Sequence, residues 1–194
     1  PGPPGHRALQ PGSRITAAGR LEDAVLALEL VLADDAGQAE PLAARLQEQN
    51  VQRQQLTAAI VREARAQVTE MGDETAVIVM GGPQWPLGVL GLAASRLVEE
   101  FYRPTFIFNM EGEDWRGSAR SIEGFHLVEC LRHCAPLLQR FGGHAMAAGL
   151  TVGRDKFPAL KQCLDDFASR RLERVAFSRP IKVEAVAALA DLKP

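Results

Sequence analysis

Apolar residues in this chain change their spacing twice, and the changes divide it. Leu21, Val25, Leu28 and Leu32 recur every three or four residues, one face of a helix, up to the acidic pair Asp34–Asp35. From about 38 to 68 the helical period continues with few apolar positions (Leu42, Leu46, Leu56, Ile60) among many Gln and Arg. That pattern predicts a long, mostly polar helix of the kind that bridges two units, with Pro41 tolerated in its first turn. After residue 73 the helical period stops. Residues 75–80 form a continuous apolar run with β-branched members, the mark of a buried strand, and Gly81-Gly82-Pro83 is expected to end it.

The rest alternates between the two grammars. Helices are predicted over 88–101, 127–134, 136–141 and 156–171, and strands over 104–108, 115–121, 150–152 and 180–184. Pro104 is acceptable at the first position of its strand. The fold class that follows is α/β, a mixed β-sheet flanked by helices and preceded by a long connecting helix.

Composition adds boundaries. The 194 residues are 46% hydrophobic and 24% charged, the balance of a folded globular chain. No run approaches the roughly 18 to 20 apolar residues of a membrane helix, and residues 1–12 do not read as a signal peptide. The chain opens without Met on a Pro- and Gly-rich stretch, as expected for a piece of a longer protein. Three cysteines, Cys130, Cys134 and Cys163, make no disulfide framework, and a reducing cytoplasm is the default location. The formal charge of −2 hides an asymmetry: residues 1–114 carry 9 basic and 16 acidic side chains, and residues 115–194 carry 13 and 8. Of the 22 basic residues 18 are Arg, which suits two-point phosphate binding.

Three segments carry candidate chemistry. In Phe141-Gly-Gly-His-Ala-Met-Ala-Ala-Gly149, bare backbone at Gly142 and Gly143 and one imidazole, His144, form a cradle of small residues suited to a phosphodiester. In Arg116-Gly-Ser-Ala-Arg-Ser121, Ser118 and Arg120 project from one face of a strand and make a hydroxyl–guanidinium pocket for a terminal phosphate. In Gly88-Val-Leu-Gly91 at a helix head, with Ser95-Arg96 two turns on, the glycines let another backbone approach, and packing is the leading use. Trp85, in a Gly- and Pro-flanked loop, is a candidate for base stacking. His126, Cys130, His133 and Cys134 imitate a zinc site, but one short helix cannot aim all four at one ion.

These segments, in this order, resemble the RecJ family of single-strand-specific 5′→3′ exonucleases in the DHH phosphoesterase superfamily. Ile15-Thr-Ala-Ala-Gly-Arg20 and Tyr102-Arg-Pro104 belong to the same resemblance, which covers about 13–174. The Gly-Gly-His segment alone is shared with small-oligonucleotide and cyclic-dinucleotide phosphodiesterases, which stay open as an alternative, as does a non-catalytic nucleic-acid-binding module. Two positions depart from the family: Pro86 stands where it usually has His, and Thr16 where it usually has Asn.

The resemblance implies a domain plan and roles. Residues 1–35 would end the DHH catalytic domain, 36–70 form the connecting helix, 71–176 the DHH-associated substrate-binding domain, and 177–194 the start of an OB-type domain. His144, Gly142 and Gly143 would contact the scissile phosphate. Ser118 and Arg120 would hold a 5′-phosphate or the neighbouring backbone, Arg20 would border the active site from the side of the DHH domain, and Arg96 is a further phosphate-binding candidate. The intact enzyme would use Mn²⁺ or Mg²⁺ on ligands upstream of this segment, with no metal bound here. Its substrate would be single-stranded DNA with a 5′-phosphorylated end, processed by a monomer in DNA repair and recombination. The segment alone is expected to be inactive.

Overall fold

The computed structural model describes residues 14–16, 19–20, 24–71 and 75–172. The strand expected over 180–184 and the segment 1–12 lie outside them. Helix α1 is Val25–Leu32 and helix α2 is Ala36–Met71. Asp35 starts α2 from outside, its carboxylate accepting from the Gln38 backbone N–H at 2.9 Å, so an otherwise polar helix has a defined first turn. The helix carries a small apolar patch towards each end. Leu46 packs on Leu26 and Ala27 of α1, and Ile60, Val61, Ala64 and Val68 join a second core.

The sheet follows. Strand β1 is Ile78–Gly82, helix α3 Leu87–Phe101 and strand β2 Thr105–Asn109, with β1 and β2 parallel. Strand β3 is Asp114–Arg120, helix α4 Leu127–His133, strand β4 Leu138–Gly143, strand β5 Ala147–Gly153 and helix α5 Phe157–Arg171. The order across the sheet is β1-β2-β3-β5-β4, and every pairing after β1/β2 is antiparallel. This is the α/β class with a mixed sheet that the pattern predicted.

Alternation along the inner strands sorts residues to two cores. Val79, Phe106, Phe108, Ala119, Leu150 and Val152 face α4 and α5, while Ile78, Met80 and Ile107 face α3 and α2. Phe157 meets Phe108 and Trp115 edge-on, ring centroids 5.1 and 4.9 Å apart. Helix α3 ends cleanly because Tyr102 turns left-handed (φ 49°) and returns its N–H to Val98 O.

Two expectations are corrected. Gly81 and Gly82 continue β1 rather than ending it, because side chains from elsewhere occupy the space their Cβ atoms would take: Met110 over Gly81 and the Trp85 ring over Gly82. Residues 136–141 are not a helix. A short 3₁₀ turn, Ala135–Leu137, leads into β4, whose backbone pairs with β5 through a register shift at Leu138/Arg140. Non-local pairing decides the segment over its local pattern.

The cysteines also differ from expectation. Cys134, at the end of α4, is joined to Cys163 of α5 with Cα atoms 6.1 Å apart. Cys130 is buried and free, and burial pushes its thiol up to about 12. His126 caps α4, its Nδ1 accepting from the Glu129 backbone N–H at 3.3 Å. The zinc-like spacing therefore serves packing and capping.

Candidate nucleic-acid interface

One face of the sheet is covered by α4 and α5. On the other, α3 covers β1, β2 and the near edge of β3, and the β3–β5–β4 part is left open. A solvent-open groove of about 680 Å³ lies there. Leu87 and Leu90 of α3 form one wall; Arg116, Ser118, Gly149, Thr151, Arg140 and Phe141 line the sheet side. Alternation explains the lining, since Arg116, Ser118 and Arg120 leave β3 on the side opposite the buried Ala119.

Register then brings the two sequence-predicted phosphate segments into adjacent rows. Ser118 pairs with Gly149, which pairs with Gly142. In the next row that faces the same side, past Ala119 and Ala148, Arg120 pairs with Ala147, whose carbonyl accepts from the His144 backbone N–H at 2.8 Å. The two segments are thus two strand spacings apart, roughly 10 Å between backbones. His144 stands exposed on the β4–β5 hairpin, not on the helix-to-strand turn that a helix over 136–141 would have made. Gly143 has φ +145°, and a Cβ there would overlap the Ala147 carbonyl. Ala145 and Met146 carbonyls accept from Leu127 and Ser121, which ties the hairpin to the body.

The Ser118–Arg120 pair is real: Arg120 Nη1 donates to Ser118 Oγ at 3.2 Å and to its neighbour's carbonyl, Ala119 O, at 2.8 Å. Its guanidinium lies on Gly91, where a Cβ would come within 2.5 Å of Nη2. Gly88, one turn earlier, receives the Arg20 backbone just as closely, and Arg20 Nη1 donates to Gly88 O at 3.2 Å. The small-residue head of α3 is therefore a packing surface, as expected, and what it packs is the Arg20 backbone and the Ser118–Arg120 pair. Ser95 is spent on its own helix, donating to Gly91 O. Pro86 caps the same helix, its carbonyl accepting from Val89.

Electrostatics join these residues to one the sequence did not single out. Burial first, and the Arg20 charge second, lower the pKa of Arg120. Burial, then Arg20, then Arg96 do the same to Arg53 on α2. All four remain cations, as guanidinium does in proteins. No ion pair joins any of them to a carboxylate among the described residues. Arg116, Arg140 and Phe141 were likewise missed as lining residues; the alternation with Ser118 could have found Arg116.

Trp85 is the correction in this region. It is 4% exposed, stacked over Gly82, and its indole N–H donates to Glu63 of α2 at 2.8 Å. Asn109 holds its carbonyl. It pins three elements and offers no face to a base. Trp85→Phe is expected to lower stability by about 1–2 kcal/mol through the lost indole–Glu63 hydrogen bond and lost contact area. Oligonucleotide affinity should stay within about twofold; a larger loss at unchanged melting temperature would reinstate stacking.

Among the described residues no cluster of three or more His, Cys, Asp or Glu could hold a metal ion. The described residues therefore do not fit the divalent metal of the resembled family. Nor is any helix among the described residues long and apolar enough to cross a membrane.

Known proteins resemble the chain in sequence and in fold. Residues 73–170 match the DHHA1 domain family. The single-stranded-DNA-specific exonuclease RecJ of Bacillus subtilis is 37% identical over 186 residues, 95% of this chain and 24% of that protein. The Thermus thermophilus protein of the same name is 36% identical over 187 residues, 96% of this chain and 26% of its own length. The crystal structure of RecJ in complex with Mg²⁺ from Thermus thermophilus superposes with a TM-score of 0.75 at 38% identity, covering 81% of this chain and 24% of that one. A structure of exonuclease RecJ bound to manganese gives 0.71 at 38% identity, covering 81% and 39%. The chain spans about a quarter of the length of the curated relatives it matches.

Proposed function

The chain belongs to the DHHA1 domain family, and from that premise we propose that it is the substrate-gripping part of a 5′→3′ single-stranded-DNA exonuclease. The observation that carries the reading is the pair of adjacent rows on the open sheet face. Ser118 and Arg120 take the 5′-phosphate, and the Gly142-Gly143-His144 hairpin, about 10 Å away by strand spacing, takes a neighbouring phosphodiester. Arg20 adds charge at the pocket's edge, whereas Arg96 lines a separate cavity with Glu99 and Glu100. The open groove favours a polymer over the short closed cleft that a dinucleotide phosphodiesterase would need.

The domain plan goes with it: 1–35 as the end of the catalytic domain, 36–70 as the connecting helix, 71–176 as the substrate-binding domain and 177–194 as the start of an OB-type domain. Hydrolysis belongs to Mn²⁺ or Mg²⁺ ligands upstream of this segment. His144 acts here as a donor to the phosphate, and the segment alone does not hydrolyse DNA.

The test is a titration of a labelled single-stranded oligonucleotide, with and without a 5′-phosphate, at two salt concentrations. Affinity should fall with salt, by a log–log slope of about −0.7 for each phosphate neutralised. The 5′-phosphate should strengthen binding, and Arg120→Ala should remove about tenfold of it. A flat salt response, or an Arg120→Ala protein that keeps the phosphate preference, refutes the assignment.

A further inference from the structure

The row through Ser118 has a neighbour on its other side. Two residues before Ser118 on β3 stands Arg116, which pairs with Thr151 of β5, and Thr151 pairs in turn with Arg140 of β4. The three share the open side of the sheet, because Leu150 and Val152, on either side of Thr151, are buried in the core on the other. Arg116, Thr151 and Arg140 line the same groove as Ser118 and Gly149. Along β4 the register is unbroken from Gly143 to Arg140, so Arg140 lies on the same side as Gly142. Two residues of strand separate this row from the previous one, roughly 6.7 Å.

Both guanidiniums are exposed, and among the described residues neither makes a hydrogen bond or an ion pair. Charges on a sheet commonly guard an edge against pairing with another chain, which accounts for a cation on β4. It does not account for Arg116, since β3 lies inside the sheet between β2 and β5. The next residue on that side of β3 has the opposite sign: Asp114, at the end of the groove, accepts from the Gln139 amide.

We propose that Arg116, Thr151 and Arg140 form a further phosphate-binding row, which takes the second internal phosphodiester of a single strand. The inference rests on the reading that places the 5′-phosphate at Ser118–Arg120 and the first phosphodiester at the Gly142-Gly143-His144 hairpin. From Gly142 to Arg140 is again roughly 6.7 Å, a length comparable to one nucleotide of extended backbone. Two guanidiniums flank Thr151, whose hydroxyl can donate to an oxygen held between them. Contacts of this kind grip the backbone and read no base. Asp114 sets the limit: a further phosphate carried on along β3 would meet its carboxylate, so the strand leaves the sheet at this row.

The experiment titrates a thymidine hexanucleotide, with a 5′-phosphate or a 5′-hydroxyl, against the full 194-residue chain. The double variant Arg116→Gln/Arg140→Gln should weaken both hexanucleotides about tenfold and equally, leaving the preference for the 5′-phosphate intact. Its salt slope should be shallower by about 0.7, one phosphate fewer. A 5′-phosphorylated dinucleotide, which has no second phosphodiester, should compete against wild type and double variant with strengths within about twofold. Asp114→Asn should tighten the hexanucleotides about two- to threefold. The control Arg132→Gln/Arg170→Gln removes the same charge from α4 and α5, on the other side of the sheet, and should cost less than about twofold. All these positions are exposed, so melting temperatures should move by no more than a few degrees.

A control as damaging as the double variant, a dinucleotide weakened as much as the hexanucleotide, or wild-type affinity in the double variant overturns the row. The underlying reading fails separately: Arg120→Ala would keep the 5′-phosphate preference, or the dinucleotide would not compete even with wild type. If Arg120→Ala loses that preference and the double variant binds as wild type does, only this inference is lost.

Discussion

Gly143→Ala is expected to lower the stability of the chain by about 3 kcal/mol, the upper end of what one strained residue costs. For a chain of this size that is roughly 6–12 °C in melting temperature. Two effects combine. At φ +145° an L-residue is strained by its own backbone, and the added Cβ meets backbone atoms, the Ala147 carbonyl and Ala148 Cα, which cannot swing aside as a side chain could. Relief requires opening the turn, which breaks the bond from His144 N–H to Ala147 O and moves His144 out of its row with Arg120. Gly142→Ala is the internal control. A Cβ there meets nothing within 4 Å, so it should stay within about 1 kcal/mol of wild type. Thermal and urea denaturation followed by circular dichroism separate the two. If the two variants melt together, the hairpin geometry is wrong.

That hairpin shows where the sequence stopped being legible. β1 and β2 announce themselves because both their faces are buried, and Ser118 and Arg120 because a two-residue period puts them on one face. β4 is an edge strand whose residues 139–143 are all exposed, so it has no hydrophobic rhythm to read. Its partner β5, with Ala148, Leu150 and Val152 inward, supplies the order that β4 lacks. Trp85 was illegible for a related reason: it is buried among side chains that include Ile60 and Ala64 and pinned by Glu63, all more than 20 residues earlier on a helix that reads as polar.

The charge asymmetry misled in an instructive way. It placed the basic excess after residue 115, but Arg20, Arg53 and Arg96, whose charges bear on Arg120 or on one another, come from the acidic half. Net charge along a segment records composition. What gathers these side chains is the packing of α2 on α3 and the bare backbone of Gly88 and Gly91, and neither is visible as charge.

Gly91→Ala turns that last point into a measurement, because it should damage binding while leaving the fold intact. The new Cβ would lie 2.5 Å from Arg120 Nη2 and 3.2 Å from Ser118 Oγ, so one of them must move. The nearest atom is the far end of a flexible side chain, and displacing it requires no change of backbone. In the helix interior Ala is favoured over Gly by about 1 kcal/mol, which offsets the loss of the Arg120–Ser118 bond. The melting temperature should therefore stay within a few degrees of wild type or rise. Affinity for a 5′-phosphorylated strand should nonetheless fall about tenfold, close to the effect of Arg120→Ala, because the same guanidinium is taken out of position. The double variant Gly91→Ala/Arg120→Ala should bind no more weakly than Arg120→Ala alone, since once the guanidinium is gone the methyl group has nothing left to displace. Additive losses would mean that Gly91 acts through something other than Arg120, and wild-type affinity in the single variant would mean that Arg120 binds phosphate from a different rotamer.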